Sequence, residues 1–281
     1  MRALFRRRPP RQRFKGLSIN RMIPNMLTLF ALCAGMTAIP FAIQGRWQAA
    51  VAAICIAAVL DGLDGRIARL LKGSSRFGAE LDSLSDFLCF GAAPGIVVYL
   101  WSLQSLGAIG WLPALLYAMC AALRLARFNV ALDEPILPPW AFNFFSGVPS
   151  PAGAGLAVLP LIFSFVMETE LFRSPWLTAP VLVVVAGLMI SRIPTYSLKK
   201  FKVPQLWILP VMLAIGLFAA GIVTQPWETL ALIGIAYIVA LPFGVMSYRR
   251  LERMAADLQG TSAETRAPDH EPPSPGSPSA P

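Results

Sequence analysis

The chain has 281 residues, 56% of them hydrophobic and only 14% charged, which excludes an ordinary water-soluble domain and fits an integral membrane protein. The net charge is +9, and residues 1–21 alone carry eight basic side chains and no acidic one. Cys33, Cys55, Cys89 and Cys120 all lie in apolar stretches, and the single histidine, His270, lies in a polar tail. A secreted disulfide framework, a cysteine metal site and histidine acid–base chemistry are thereby excluded, and the cysteines read as small packing residues.

In chain order, the basic arm comes first. It suits an anionic lipid surface better than nucleic acid, because an apolar run comes directly after it. That run, 22–43, is long enough to span and shows no small-residue cleavage site, so it reads as a retained anchor rather than a signal peptide. Seven further apolar segments approach the roughly 20 residues needed to cross a bilayer. They are 47–71, 80–103, 108–128, 149–167, 176–196, 204–223 and 228–247. The links are short except 129–148, which holds Asp133, Glu134 and several prolines. Residues 255–281 are rich in Pro, Ser and Ala, with no apolar period, and read as disordered. No internal repeat is evident. The expected fold is an all-α polytopic bundle of about eight transmembrane helices. It divides into a basic cytoplasmic arm (1–21), a membrane domain (22–250) and a cytoplasmic tail (251–281).

With eight spans and both termini inside, 22 of the 24 Lys and Arg residues fall on the cytoplasmic side, and only Arg46 and Arg173 fall opposite. That asymmetry supports the count and the orientation. Trp47, Trp101, Trp111 and Trp176 lie near span ends, where an interfacial belt is expected.

The second and third segments carry the chain's most unusual feature. Asp61, Asp64, Asp82 and Asp86 lie within 26 otherwise membrane-like residues. Carboxylates are costly at membrane depth, so such a cluster marks a functional site facing a polar cavity. Asp61 and Asp64 are three apart, Asp82 and Asp86 four apart, so each pair shares a helix face. Two helices joined by a tight turn can aim all four at one place. Packed like charges need a counter-ion, and a hard divalent cation is the natural one. Gly65 and Gly78 allow close approach of a helix backbone or a bulky ligand. Arg66, Arg69, Lys72 and Arg76 crowd the same end and suit phosphate. Carboxylates, a divalent metal and arginines are the parts of a phosphoryl-transfer site. No Walker-type glycine loop is present. The alternative is an ion-pathway carboxylate site of a transporter.

The segment resembles the signature of the CDP-alcohol phosphatidyltransferase family, D-x2-D-G-x2-A-R-x8-G-x3-D-x3-D. All eight fixed positions match, at Asp61, Asp64, Gly65, Ala68, Arg69, Gly78, Asp82 and Asp86. The resemblance implies an intramembrane enzyme, usually a homodimer, that displaces CMP from a CDP-linked lipid with an alcohol and uses Mg²⁺ or Mn²⁺, two ions being expected. It implies metal ligation by Asp61, Asp64 and Asp82 with Asp86 nearby, and Asp86 as general base. It implies a cytidine pocket at Gly65, Ala68 and Gly78, supported by Arg69. The family's Pro-Asn pair with a nearby Thr is matched by Pro24, Asn25 and Thr28, so Asn25 and Thr28 are candidate nucleotide contacts. The other reading of these residues is an ordinary helix start with Pro in the first turn.

Further stretches look like the branch of the family whose acceptor is L-serine. They are Phe77–Asp86, Phe90–Pro94, Leu123–Asn129, Gly147–Gly153 and Ser191–Thr195, so the resemblance covers roughly residues 20–200. It implies CDP-diacylglycerol and L-serine as substrates, phosphatidylserine and CMP as products, membrane lipids as surroundings and no nucleic-acid partner. A bacterial inner membrane is the expected location, with the active site on the cytoplasmic side. A serine carboxylate wants a forked donor, and Arg124 and Arg127 are the candidates, with Arg192 a weaker one. Arg124 and Arg127 read equally as positive-inside or snorkelling arginines, and Arg192 more so. Asn129 either adds a polar contact or caps its helix. Glycerol phosphate, inositol phosphate or choline remain alternative acceptors.

Overall fold

The structure, a computed structural model, describes residues 19–71, 73, 75–132, 144–191, 194–196, 208–243 and 246. The expected basic arm to residue 18, the Pro-rich tail, Lys72 and Arg192 lie outside the described residues.

Helix α1 (Ile19–Ile43) leads into α2 (Trp47–Leu70). The turn between them is set by Gly45, whose φ of 70° suits a residue without Cβ. Gly45 N–H donates to the Ala42 carbonyl at 3.0 Å and Arg46 N–H to that of Phe41 at 2.9 Å, a paired closure of the last helical turn. Helix α3 (Arg76–Asp86) starts where the Ser75 hydroxyl accepts from Gly78 N–H at 3.0 Å, an N-cap bond to the third helical residue. It runs on through a wide π-helical turn, Phe87–Ala92, into α4 (Ala93–Trp101). Helix α5 (Ala108–Leu132) returns across the bundle.

Helices α6 (Ser150–Ala157) and α7 (Leu159–Met167) are one apolar segment bent by 42°. Pro160 accounts for the bend, since it lacks an N–H and its ring meets the carbonyl four residues back. Then come α8 (Pro175–Ile190), α9 (Ile208–Thr224) and α10 (Pro226–Phe243). Helices therefore stand at all eight expected places. Among the described residues, four stretches are long and apolar enough to cross a membrane, Met22–Ile43, Arg76–Trp101, Ala108–Val130 and Pro226–Phe243, and the bent α6–α7 pair makes a fifth. The chain is a helical membrane protein.

Two expectations need correction. The segment drawn as 176–196 stops being helical at Ile190. Beyond it, Pro194–Tyr196 (β2) pairs antiparallel with Phe144–Ser146 (β1). A proline at 194 disfavours helix in the residue before it, and the extended chain finds its partner in the long link. Trp101, assigned to the interfacial belt, is instead buried, and its carbonyl accepts from Arg173 Nε at 3.0 Å. Trp111 and Trp176 are exposed, as belt residues should be.

Small residues line the contact between the first two helices, while Tyr117, Phe90 and Leu161 fill the core further on. Ala38, Ala42, Ala50, Val51 and Ala57 are buried where α1 and α2 pack along each other, which lets the backbones approach. Gly35 is a tight point between α1 and the π-helical turn. A Cβ there would fall on the Cys89 side chain and 3.0 Å from its Cα. Gly35→Val should therefore overpack the α1–π-turn contact and cost about 1–3 kcal/mol. A lowered thermal unfolding midpoint of the detergent-solubilised protein checks this.

Candidate active site

Asp61 and Asp64 lie on the last turns of α2, and Asp82 lies on α3. One carboxylate oxygen from each falls within 4.8 Å of the other two. Asp86 closes the group one turn further along α3. Its carboxyl is within hydrogen-bonding reach of Asp61, while its Oδ1 is buried with no hydrogen-bond partner.

Helix α1 holds this group in place. The Thr28 hydroxyl, itself buried, donates to Asp64 Oδ2 at 2.6 Å, and the Pro24 carbonyl lies 3.1 Å away as a second acceptor. Two side chains from the far wall grip the α1 backbone. Ser85 donates to the Thr28 carbonyl at 3.4 Å and Cys89 to that of Ala31 at 3.4 Å. Because α1 begins at Ile19, Pro24 lies inside the helix rather than in its first turn, so the simple helix-start reading of Asn25 and Thr28 does not hold. On the other flank, Asn129 of α5 donates through Nδ2 to the Ser83 hydroxyl at 3.0 Å. Asn129 thus ties α5 to the residue next to Asp82 and does not act as a simple cap.

A cavity of about 360 Å³ opens beside the carboxylates, with Asp64 and Asp82 in its wall. Asn25, Thr28, Gly65, Ala68, Arg69 and Gly78 all line it. The two glycines act differently. A Cβ on Gly65 would meet nothing within 4 Å, so this glycine keeps space open, whereas a Cβ on Gly78 would come 2.7 Å from Asn25 Oδ1. Arg69 lies at the rim and donates from Nε to the Gly65 carbonyl at 3.0 Å, which leaves its other nitrogens to a ligand. Gly73, Ser75 and Ala79 also line the cavity. The sequence reading missed them: Gly73 and Ser75 sit in the turn that the motif spacing leaves unspecified, and Ala79 is the α3 residue just after Gly78. Arg66 and Arg76 are exposed and do not line it.

Arg124 and Arg127, on α5, have different surroundings. Arg127 donates from Nη1 to the Ile190 carbonyl at 2.8 Å and from Nη2 to that of Ser191 at 3.2 Å, which satisfies free carbonyls at the end of α8. Arg124 is only 8% exposed. Its Nη1 donates to the Ser150 hydroxyl at 2.7 Å, and its Nε has no partner. Arg124 also lies within charge-interaction range of Asp86. Of the two arginines, Arg124 is the one with a buried donor that has no partner.

Residues 21–189 match the family model described as CDP-alcohol phosphatidyltransferase, and residues 206–242 match a second, CDP-alcohol phosphatidyltransferase 2. The chain belongs to the CDP-alcohol phosphatidyltransferase family. It is 40% identical over 247 residues to a CDP-diacylglycerol–serine O-phosphatidyltransferase of Mycobacterium bovis, covering 86% of this chain and 84% of that one. The namesake of Mycobacterium leprae is 39% identical over 87% of this chain and 80% of its own. That of Helicobacter pylori is 31% identical over 78% and 88%.

The Gly78 contact makes a prediction. Gly78→Ala should act by pushing the Asn25 amide out of the cavity wall. It should lower transferase activity in the wild-type background but add little to Asn25→Ala, a coupling that a double-mutant cycle measures. Gly65→Ala, which fills open space, should add its loss independently.

Proposed function

We propose that the chain transfers the phosphatidyl group of CDP-diacylglycerol to the hydroxyl of L-serine, giving phosphatidylserine and CMP. The observation that carries the chemistry is the meeting of Asp61, Asp64 and Asp82 at the edge of a cavity lined by Asn25, Gly65 and Gly78. The acceptor rests on the names of the relatives and on the free donor of the buried Arg124. The membrane domain is proposed to extend from 22 to 250 with eight spans, between the basic arm and the tail, and to work as a homodimer in a bacterial inner membrane.

The donor set fits a divalent metal. Three carboxylate oxygens within 4.8 Å and an unpartnered oxygen of Asp86 offer hard ligands and negative charge together. Asp61, Asp64 and Asp82 would hold Mg²⁺ or Mn²⁺, with Asp86 adjacent. When bound, such ions neutralise the diphosphate and favour departure of CMP. Thr28 orients Asp64 through its hydroxyl, and ligand orientation of this kind governs metal affinity. The open faces of Gly65 and Ala68 take the cytidine, while Asn25 and Arg69 supply polar contacts to the nucleotide. Asp86 takes the proton from the serine hydroxyl. The hydroxyl oxygen then attacks the phosphatidyl phosphorus, and the bond from phosphorus to the CMP oxygen breaks. Neither a Ser–His nor a Cys–His pair is at hand for a covalent intermediate, because the one histidine is His270. Attack is therefore direct, with inversion at phosphorus.

The purified protein, given CDP-diacylglycerol and a panel of alcohols, should make phosphatidylserine from serine and release CMP. Activity should vanish in chelator and in Asp82→Asn. Asp86→Asn should depress turnover about 10²–10⁴-fold while sparing CDP-lipid binding. A product from another alcohol, or activity that survives chelation, would refute the reading.

Both termini and the site are proposed to face the cytoplasm. The basic-residue distribution supports this. So does the placement of Trp47 and Arg173 around one cavity, since Trp47 starts the helix that carries Asp61 and Asp64 at its far end. Cysteines introduced at Arg46 and in the C-terminal tail should label from opposite sides of the membrane. Labelling from the same side would reverse the assignment.

A further inference from the structure

We propose that Tyr237 of α10 belongs to the acceptor site, where its phenol and the Nε–H of Arg124 together hold the carboxylate of the amino-acid acceptor. The inference rests on the reading of serine as that acceptor. Among the described residues, three buried side-chain polar atoms lack a hydrogen-bond partner: Asp86 Oδ1, Arg124 Nε and Tyr237 Oη. Buried polar groups are rarely left so, because desolvation without a new bond is costly. These three are not scattered. Arg124 lies within charge-interaction range of both Asp86 and Tyr237.

Packing explains how a residue so distant in sequence arrives there. One turn before Tyr237, a Cβ on Gly234 would run into the Leu159 side chain, so α10 lies tight against α7. Trp227 meets Phe165 edge-on with ring centroids 4.9 Å apart, which fixes the start of α10. Arg124 is anchored from α6 through Ser150. Its orphaned Nε is therefore held in place and is not merely a mobile end.

The three atoms describe a ligand. Arg124 Nε–H and the Tyr237 hydroxyl can donate, and an ionised Asp86 can only accept. A molecule that satisfies all three carries a hydrogen-bond acceptor, best a carboxylate, at one end and a hydroxyl or ammonium at the other. A hydroxy-amino acid does so. Choline has no carboxylate for the arginine and the phenol. A phosphorylated alcohol would set two charges against a single free cationic donor. Tyr237 is then a substrate-binding residue that selects the acceptor, while Asp86 remains the base.

The test is steady-state kinetics of the full-length protein in detergent with CDP-diacylglycerol, comparing serine with serinol, which keeps the amine and hydroxyl but lacks the carboxylate. Absence of phosphatidylserine from the wild type would remove the serine reading and this inference with it. Where the wild type makes phosphatidylserine, Tyr237→Phe should raise the KM for serine about tenfold. It should leave the KM for CDP-diacylglycerol and the turnover of serinol unchanged. Arg124→Lys should also raise the serine KM, and the double variant should lose less than the two single effects combined. An unchanged serine KM, or equal losses with serine and serinol, would overturn the role of Tyr237 while leaving the reaction intact. Should Tyr237→Phe fail to fold, hydrogen exchange of α10 in the wild type decides. Serine but not serinol should slow it, and no difference between the two would overturn the proposal.

Discussion

Charge repulsion among carboxylates inside a membrane bundle is the constraint around which this molecule is arranged. Two like charges about 5 Å apart repel by on the order of 3 kcal/mol even at an effective dielectric near 20. Asp61, Asp64 and Asp82 form three such pairs, and Asp86 adds more. No lysine or arginine forms an ion pair with any of them among the described residues, where the one salt bridge is between Arg173 and Glu170. No ion pair among the described residues relieves the repulsion, so relief comes from a proton shared between carboxyls or from a bound cation. A site of this kind stores its affinity for metal in the unfavourable state it has without one.

Holding such a group together requires a rigid frame, and α1 supplies it. Along one face of that helix, Thr28 takes Asp64, the Thr28 carbonyl takes Ser85, and the Ala31 carbonyl takes Cys89. Two of these bonds tie the carboxylate-bearing helices α2 and α3 to α1, and the third ties the π-helical turn just after Asp86 to it. The π-helical turn after Asp86 contributes differently. An inserted residue rotates the later turns of a helix relative to the earlier ones, so Asp82 and Asp86 can face the polar site while Val97, Val98 and Trp101 face the core. The buried Tyr117 hydroxyl fastens that turn by donating to the Phe90 carbonyl at 2.7 Å. Small residues at Gly35 and Ala38 keep α1 near enough for these bonds to form.

The parts legible in the sequence are those whose determinants are local. The convergence of Asp61, Asp64 and Asp82 comes from helical spacing and a short turn. The cavity-lining places of Asn25, Ala68 and Gly78 come from the family motif. The helical segments come from apolar length alone. The parts hidden from a sequence reading depend on contacts between distant segments. Nothing local distinguishes Arg127 from Arg124, yet one caps α8 and the other is buried with a free donor. Trp101 has the position of a belt residue, yet it is buried in the core and its carbonyl accepts from the distant Arg173. The β1–β2 pair joins two proline-flanked links about 50 residues apart. Hydropathy reads such links only as interruptions.

The same division separates the two halves of the site. The part that would take the CDP-lipid lies within residues 24–86, on three consecutive helices, and carries a fixed spacing that a motif can record. The proposed acceptor half draws instead on α5, α6 and α10, through Arg124, Ser150 and Tyr237, with more than a hundred residues between the first and the last. Metal binding and departure of CMP demand the same geometry whatever alcohol attacks, so they tie the first half to one set of residues. The acceptor constrains only the side chains that stand opposite Asp86. A family can therefore keep its reaction and change its product by altering side chains on helices that the signature does not include, and the identity of the alcohol must be sought there rather than among the aspartates.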